Sequence, residues 1–382
     1  MTQIAYDKIR FFYFNKKSYL IINNLCHLRS PLFYFSKSSV VILSLVAFIL
    51  LFNSFTNDNP YFYISKKDVE LVIPKGFPKL VYEFKDNKIT PDGFLLGRYL
   101  FYDPLLSKDN SISCAFCHQR FAAFAHIDHK VSHGINGLIG KRNVPAIQNM
   151  IWQKSFMWDG GINHLDMQPL APITNPLEMN EDLKGVIQKL QHNPEYVERF
   201  KKAFHDTIID SERILKALTQ FTGLMISSNS RYDKFIRHED TLSTTEFEGL
   251  KLFRSHCENC HKEPLFTDNS FRNIGLAFDT SFKDSGRMAL TGIPDDFMKF
   301  KVPSLRNVEI TYPYMHDGRF KNLEQVLNHY AKGDFKTSNF DKSILRNVGL
   351  NETEKARIIA FLKTLTDKTF TYDRRFADPN YN

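Results

Sequence analysis

The pattern Cys114-Ala115-Phe116-Cys117-His118 returns 143 positions later as Cys257-Glu258-Asn259-Cys260-His261. No other feature restricts the chain so tightly. Two thiols three positions apart can add to the two vinyl groups of one haem, and the adjacent histidine can give an axial nitrogen to its iron. Cys-x-x-Cys-His is the attachment signature of a c-type haem. Four thiols also suit zinc, but zinc pairs usually lie about 15–20 residues apart. The repeat therefore implies two covalently bound c-type haems, one on Cys114, Cys117 and His118, the other on Cys257, Cys260 and His261. Cys26 is the one thiol outside the motifs, so no disulfide framework is implied.

Covalent haem fits an exported chain, and the front of the sequence agrees. Val40–Phe52 is an uncharged apolar run of 13 residues behind Lys8, Arg10, Lys16, Lys17, Arg29 and Lys37. The basic flank places the N-terminus in the cytoplasm and the chain beyond residue 57 in the periplasm. The run has the length of a signal-peptide core. No Ala-x-Ala-like site comes after it, so the expectation is an uncleaved segment in the inner membrane. Residues 1–39 hold six basic side chains against Asp7, a net of +5 out of the chain's +8. The remaining surface has no basic stripe, which argues against nucleic acid as a partner.

Of the exported part, residues 58–91 are polar and proline-rich and read as a linker. A first haem domain is expected over 92–235 and a second over 236–382. Phe94–Phe101 has helical spacing closed by Asp103-Pro104, and its Gly97-x-x-Leu100-Phe101 recurs as Gly249-x-x-Leu252-Phe253 before the second motif. Beside two haem motifs this hints at internal duplication. Helical spacing continues over 182–204 and 211–225, where Ile214, Leu215, Leu218, Phe221 and Met225 form one stripe. Near the end, Asn351 and Glu354 form a capping box before Ile358, Phe361, Leu362 and Leu365. The fold class is mainly α: two cytochrome-c-like domains with long loops.

Longer motifs carry a resemblance. Leu96-Gly97-Arg98, Phe101-Tyr102-Asp103-Pro104, Lys141-Arg142-Asn143, Trp158-Asp159-Gly160, Asn175-Pro176, Glu178-Met179, Pro264–Asp268, Val302–Asn307 and Tyr314–Gly318 succeed one another as in bacterial di-haem cytochrome c peroxidases. The chain resembles that family over roughly residues 90–366. The resemblance implies a first haem that reacts with hydrogen peroxide and a second that transfers electrons from a small donor, a cytochrome c or a cupredoxin. Trp158 would match the inter-haem tryptophan, and Gln168 and Glu178 the distal pocket of the first haem. A lone Glu is ordinarily a surface carboxylate; peroxide cleavage, however, needs a group that takes and returns a proton. Asn143, with the backbone oxygens of Thr311 and Pro313, would match a calcium site. His133 would match the loop histidine that ligates the resting first haem, with His126 and His129 as competitors. Homodimer formation is left open.

The chain departs from the pattern at the ligand of the second haem. Family members carry a methionine ligand of the second haem late in the Leu-Glu-x-x-Val helix, where this chain has Tyr330, and no methionine occurs after Met315. Tyrosine there resembles the methylamine-utilisation branch, whose members use peroxide equivalents to oxidise a protein or other large substrate. His329 is the neighbouring candidate, on a different helix face.

Overall fold

The computed structural model describes residues 64–380, so the apolar run 40–52 and its basic flank lie outside the described residues. No described helix is long and apolar enough to cross a membrane.

Helix α1 spans Pro91–Tyr102. Thr90 caps it by accepting the Gly93 N–H at 3.0 Å, proline occupies its first turn, and Asp103 ends it in extended backbone. Three longer helices follow later in the first half: α2 (Leu183–Gln191), α3 (Pro194–Phe204) and α4 (Ser211–Gly223). The second half is built on α5 (Thr244–His256), α6 (Leu323–Lys332) and α7 (Glu352–Lys363). The expected capping box on α7 is present, with Asn351 accepting from the Glu354 backbone and Glu354 from that of Asn351. Sheet is minimal among the described residues: strand β1 (Phe271–Arg272) pairs antiparallel with β2 (Phe300–Lys301).

The two halves repeat one packing device. A Cβ built on Gly97 would stand 1.9 Å from the carbonyl oxygen of Ala217 on α4, and one on Gly249 would stand 1.9 Å from that of Arg357 on α7. Each glycine thus lets its helix cross its partner at backbone contact. One turn later, Phe101 packs against Phe221 (ring centroids 5.2 Å apart) and Phe253 against Phe361 (5.0 Å). A third ring completes each group, Phe124 at 6.0 Å from Phe101 and Phe266 at 5.6 Å from Phe253. The shared Gly-x-x-Leu-Phe therefore marks a shared helix crossing. Gly97→Ala or Gly249→Ala must part the helices and is expected to cost about 1–3 kcal/mol. Denaturant unfolding of the holoprotein measures this; an unchanged midpoint would mean the crossing tolerates separation.

Two segments depart from the expected domain layout. Residues 64–90 contain no helix or strand, yet Ile64, Val69 and Phe84 are buried in the first core, so this stretch is a packed strap along its described length, not a free linker. The C-terminal residues also return to the first half. Phe370 and Phe376 belong to its core, Arg98 donates to the Ala377 carbonyl (2.6 Å) and Tyr102 to that of Phe376 (2.6 Å). Apolar side chains without period hold both segments, which is why neither shows in a periodicity reading.

Candidate functional site

One cavity of about 720 Å³ is lined from both halves, and its wall includes Cys117, His118, Cys257, Cys260 and His261. A smaller one of about 50 Å³ adjoins the first motif, with Cys114, Cys117 and His118 in its wall. All four thiols are free of disulfides.

The first motif forms a single helical turn, Cys114–Cys117, capped by Ser113. His118 then has its Nδ1 2.7 Å from the Phe124 carbonyl. Ala123 and Phe124 have φ of 51° and 60°, and this left-handed pair folds the loop back against the ring. The second motif repeats the arrangement. His261 Nδ1 lies 3.2 Å from the Phe266 carbonyl, where Phe266 has φ of 55°, and 3.1 Å from that of Pro303. With Nδ1–H donating to a carbonyl, each imidazole keeps Nε2 as its open nitrogen, the orientation that ligating histidines require. Burial depresses both pKa values, that of His118 to about 4, so neither ring is protonated near neutral pH. Thiols, open nitrogens and a shared cavity together fit two c-type haems.

The loop under His261 is held from behind. Arg306, fully buried, forms a two-pronged ion pair with Asp233 (2.8 and 2.9 Å) and donates to the Pro264 carbonyl (2.8 Å), while Ser304 donates to that of Leu265 (2.6 Å). The Val302–Asn307 motif thus delivers the carbonyl that orients the second histidine.

Glu178 and Gln168 line both cavities with His118. Burial raises the Glu178 pKa, against a smaller opposing effect of the Asn175 amide, which donates to Oε1 at 3.1 Å. Trp158 lines the larger cavity and donates from its indole to the Asn143 carbonyl at 2.8 Å. Its neighbour Asp159 pairs with Arg142, the residue before Asn143, at 2.6 Å, so two adjacent links fasten the Trp-Asp-Gly loop to the Lys-Arg-Asn loop. Trp152, by contrast, is a core residue whose indole donates to the Pro78 carbonyl.

Tyr330 lines the larger cavity, and the Cys257 and Cys260 thiols are near enough to add to the effect of burial, which raises its pKa. His329 is committed elsewhere, with Nε2 2.8 Å from the Ile274 carbonyl. His133 lines the smaller cavity. Its ring lies 4.5 Å from that of His129, which is exposed, and 6.4 Å from that of His126, which is 5% exposed with no partner for Nδ1. Asn143, Thr311 and Pro313 share the wall of the larger cavity. Among the described residues no cluster of three or more His, Cys, Asp or Glu side chains is arranged to hold a metal ion.

Sequence reasoning overlooked several parts of the wall. His316 lines the cavity with its ring stacked on Phe300, centroids 3.7 Å apart. Lys301 and the Phe124 carbonyl carry no motif of their own, and the motifs that contain Phe266 and Pro303 do not reveal that their carbonyls face His261.

The comparisons with known proteins agree with this geometry. The profile of the di-haem cytochrome c peroxidase family matches residues 91–241. The methylamine utilisation protein MauG of Methylorubrum extorquens is 33% identical, over 75% of this chain and 82% of that protein. The cytochrome c551 peroxidase of Nitrosomonas europaea is 35% identical, over 75% of this chain and 84% of its own. The crystal structure of a MauG-like protein associated with microbial copper homeostasis superposes with a TM-score of 0.75 at 30% identity, covering 81% of this chain and 99% of that one. With two haem-binding halves, one shared cavity and relatives of this closeness, the chain belongs to the di-haem cytochrome c peroxidase family and is an oxidoreductase of that type.

Proposed function

We propose that the protein is a periplasmic enzyme that reduces hydrogen peroxide to water at its first haem site, drawing electrons through the second from a small cytochrome or cupredoxin. The observation that carries this reading is the raised, half-buried carboxylate of Glu178 on the same cavity walls as Gln168 and His118. When bound, the haem iron supplies the redox chemistry. Glu178 accepts a proton from one peroxide oxygen and returns it to the leaving one, the task of a positioned acid–base group. Gln168 orients peroxide by hydrogen bonds. His118 and His261 would hold the two irons, His133 would be a further ligand of the first at rest, and Asn143 with the Thr311 and Pro313 carbonyls would hold calcium through neutral oxygens. Metal analysis of the purified protein tests the calcium assignment. Rapid peroxide-dependent oxidation of reduced cytochrome c by the holoprotein supports the proposal; inertness towards every small donor overturns it.

Trp158 is the electron relay in this reading. Trp158→Ala is expected to leave the first reaction with peroxide nearly intact and to slow markedly the subsequent reduction from the second site. Stopped-flow spectra separate the two steps, and an unchanged second step would return the indole to a packing role.

A second reading is favoured by one observation, Tyr330 in the cavity wall beside the second motif. In it the oxidising equivalents pass to a protein or other large substrate. The same turnover assay separates the two readings.

A further inference from the structure

Five cationic side chains line the larger cavity. Arg142 is paired with Asp159 and Asp284, and Arg272 with Asp268 and Asp341. Lys141 and Lys283 are exposed to solvent. Lys301 differs from all four. It sits on β2, where its backbone N–H donates to the Trp158 carbonyl at 2.7 Å. Its ammonium donates to Gln153 Oε1 at 2.6 Å and to the Ser155 carbonyl at 2.8 Å, both neutral oxygens. An ammonium has three N–H donors, and two are accounted for. Among the described residues no carboxylate lies within ion-pair distance of it. Burial lowers its pKa to about 8, with only a distant contribution from Asp159 in the other direction.

A charge held away from water is costly unless an opposite charge and hydrogen bonds compensate it. Gln153 and Ser155 supply the hydrogen bonds and leave the charge without a counterion. The groups that fill this cavity in a di-haem protein carry carboxylates of their own, the haem propionates. We propose that Lys301 is the ion-pair partner of a haem propionate, held in place by Gln153 and Ser155 on the stretch of chain that leads to Trp158. Lys301 is then a cofactor-binding residue as well as a link between the propionate and the tryptophan loop. This assignment rests on the reading of two bound haems.

The test uses the holoprotein, after mass spectrometry and a pyridine haemochrome spectrum have confirmed two haems per chain. A chain lacking a haem would reveal failure of that underlying reading. Resonance Raman spectroscopy then compares the propionate bending bands of wild type, Lys301→Met, Lys301→Gln and Lys301→Arg. Loss of an ionic hydrogen bond is expected to move one propionate band to lower frequency in the Met and Gln variants, while Arg keeps it near the wild-type position. The Gln variant retains a polar group for Gln153 and Ser155, so it remains informative where Met fails to fold. Propionate bands at wild-type frequency in a folded, two-haem Met or Gln variant would overturn the assignment.

Discussion

Glu178→Gln should keep both haems and lose peroxide turnover by a factor of about 10²–10⁴, the usual contribution of a positioned acid–base group. The substitution preserves shape and the capacity to hydrogen-bond with Asn175, so it removes a proton acceptor and little else. The environment prepares that role. Burial lifts the carboxyl above the ordinary glutamate range, and the Asn175 amide, which donates to the ionised form, restrains the rise. In the proposed mechanism the ionised form takes the proton, so kcat/KM for peroxide should fall as pH drops through the raised pKa. Asn175→Ala, which removes the restraint, should shift that fall to higher pH. Near-normal turnover of Glu178→Gln at saturating donor would remove this residue from the mechanism.

Tyr330→Phe should change the ferric spectrum of the second haem and raise its reduction potential, by on the order of 100 mV within the roughly 0.8 V that axial ligands span. The cavity wall around the Tyr330 phenol disfavours its ionised form. Burial pushes its pKa up, and a cation close at hand is what reverses such a preference. Ferric iron on His261 would be that cation. A phenolate is a hard anionic donor that favours ferric iron, so its loss destabilises the oxidised state relative to the reduced one. Tyr330→Met should move the potential further in the same direction. Spectroelectrochemistry of the two variants decides, and an unchanged potential in Tyr330→Phe would leave the tyrosine a packing residue and weaken the large-substrate reading.

What was legible in the sequence had either a fixed spacing or a period. Cys-x-x-Cys-His was visible because its chemistry demands adjacent residues, and α7 because its box and apolar repeat are local. The shared Gly-x-x-Leu-Phe could be seen, but its meaning could not, since the carbonyls of Ala217 and Arg357 that require glycine lie over a hundred residues away. The strap 64–90 read as a linker because buried Ile64, Val69 and Phe84 keep to no helical or strand spacing. Lys301 was invisible for a related reason. In Lys299-Phe300-Lys301 the two lysines look alike, and only the fold turns the second inward to Gln153 and Ser155.

The return of the C-terminal residues to the first half fixes an order of events. The bond from Arg98 to Ala377 closes a loop of 279 positions, and Phe94 and Phe124 meet Phe376 in one aromatic group. Contacts so far apart in sequence are made late, because loop closure must precede any gain from them. The half that emerges first is therefore completed last. Without residues 370–377 the first core lacks Phe370 and Phe376, whereas the paired helices α5 and α7 of the second half lie within its own span. Completion of the first half is thereby tied to the arrival of Phe370 and Phe376.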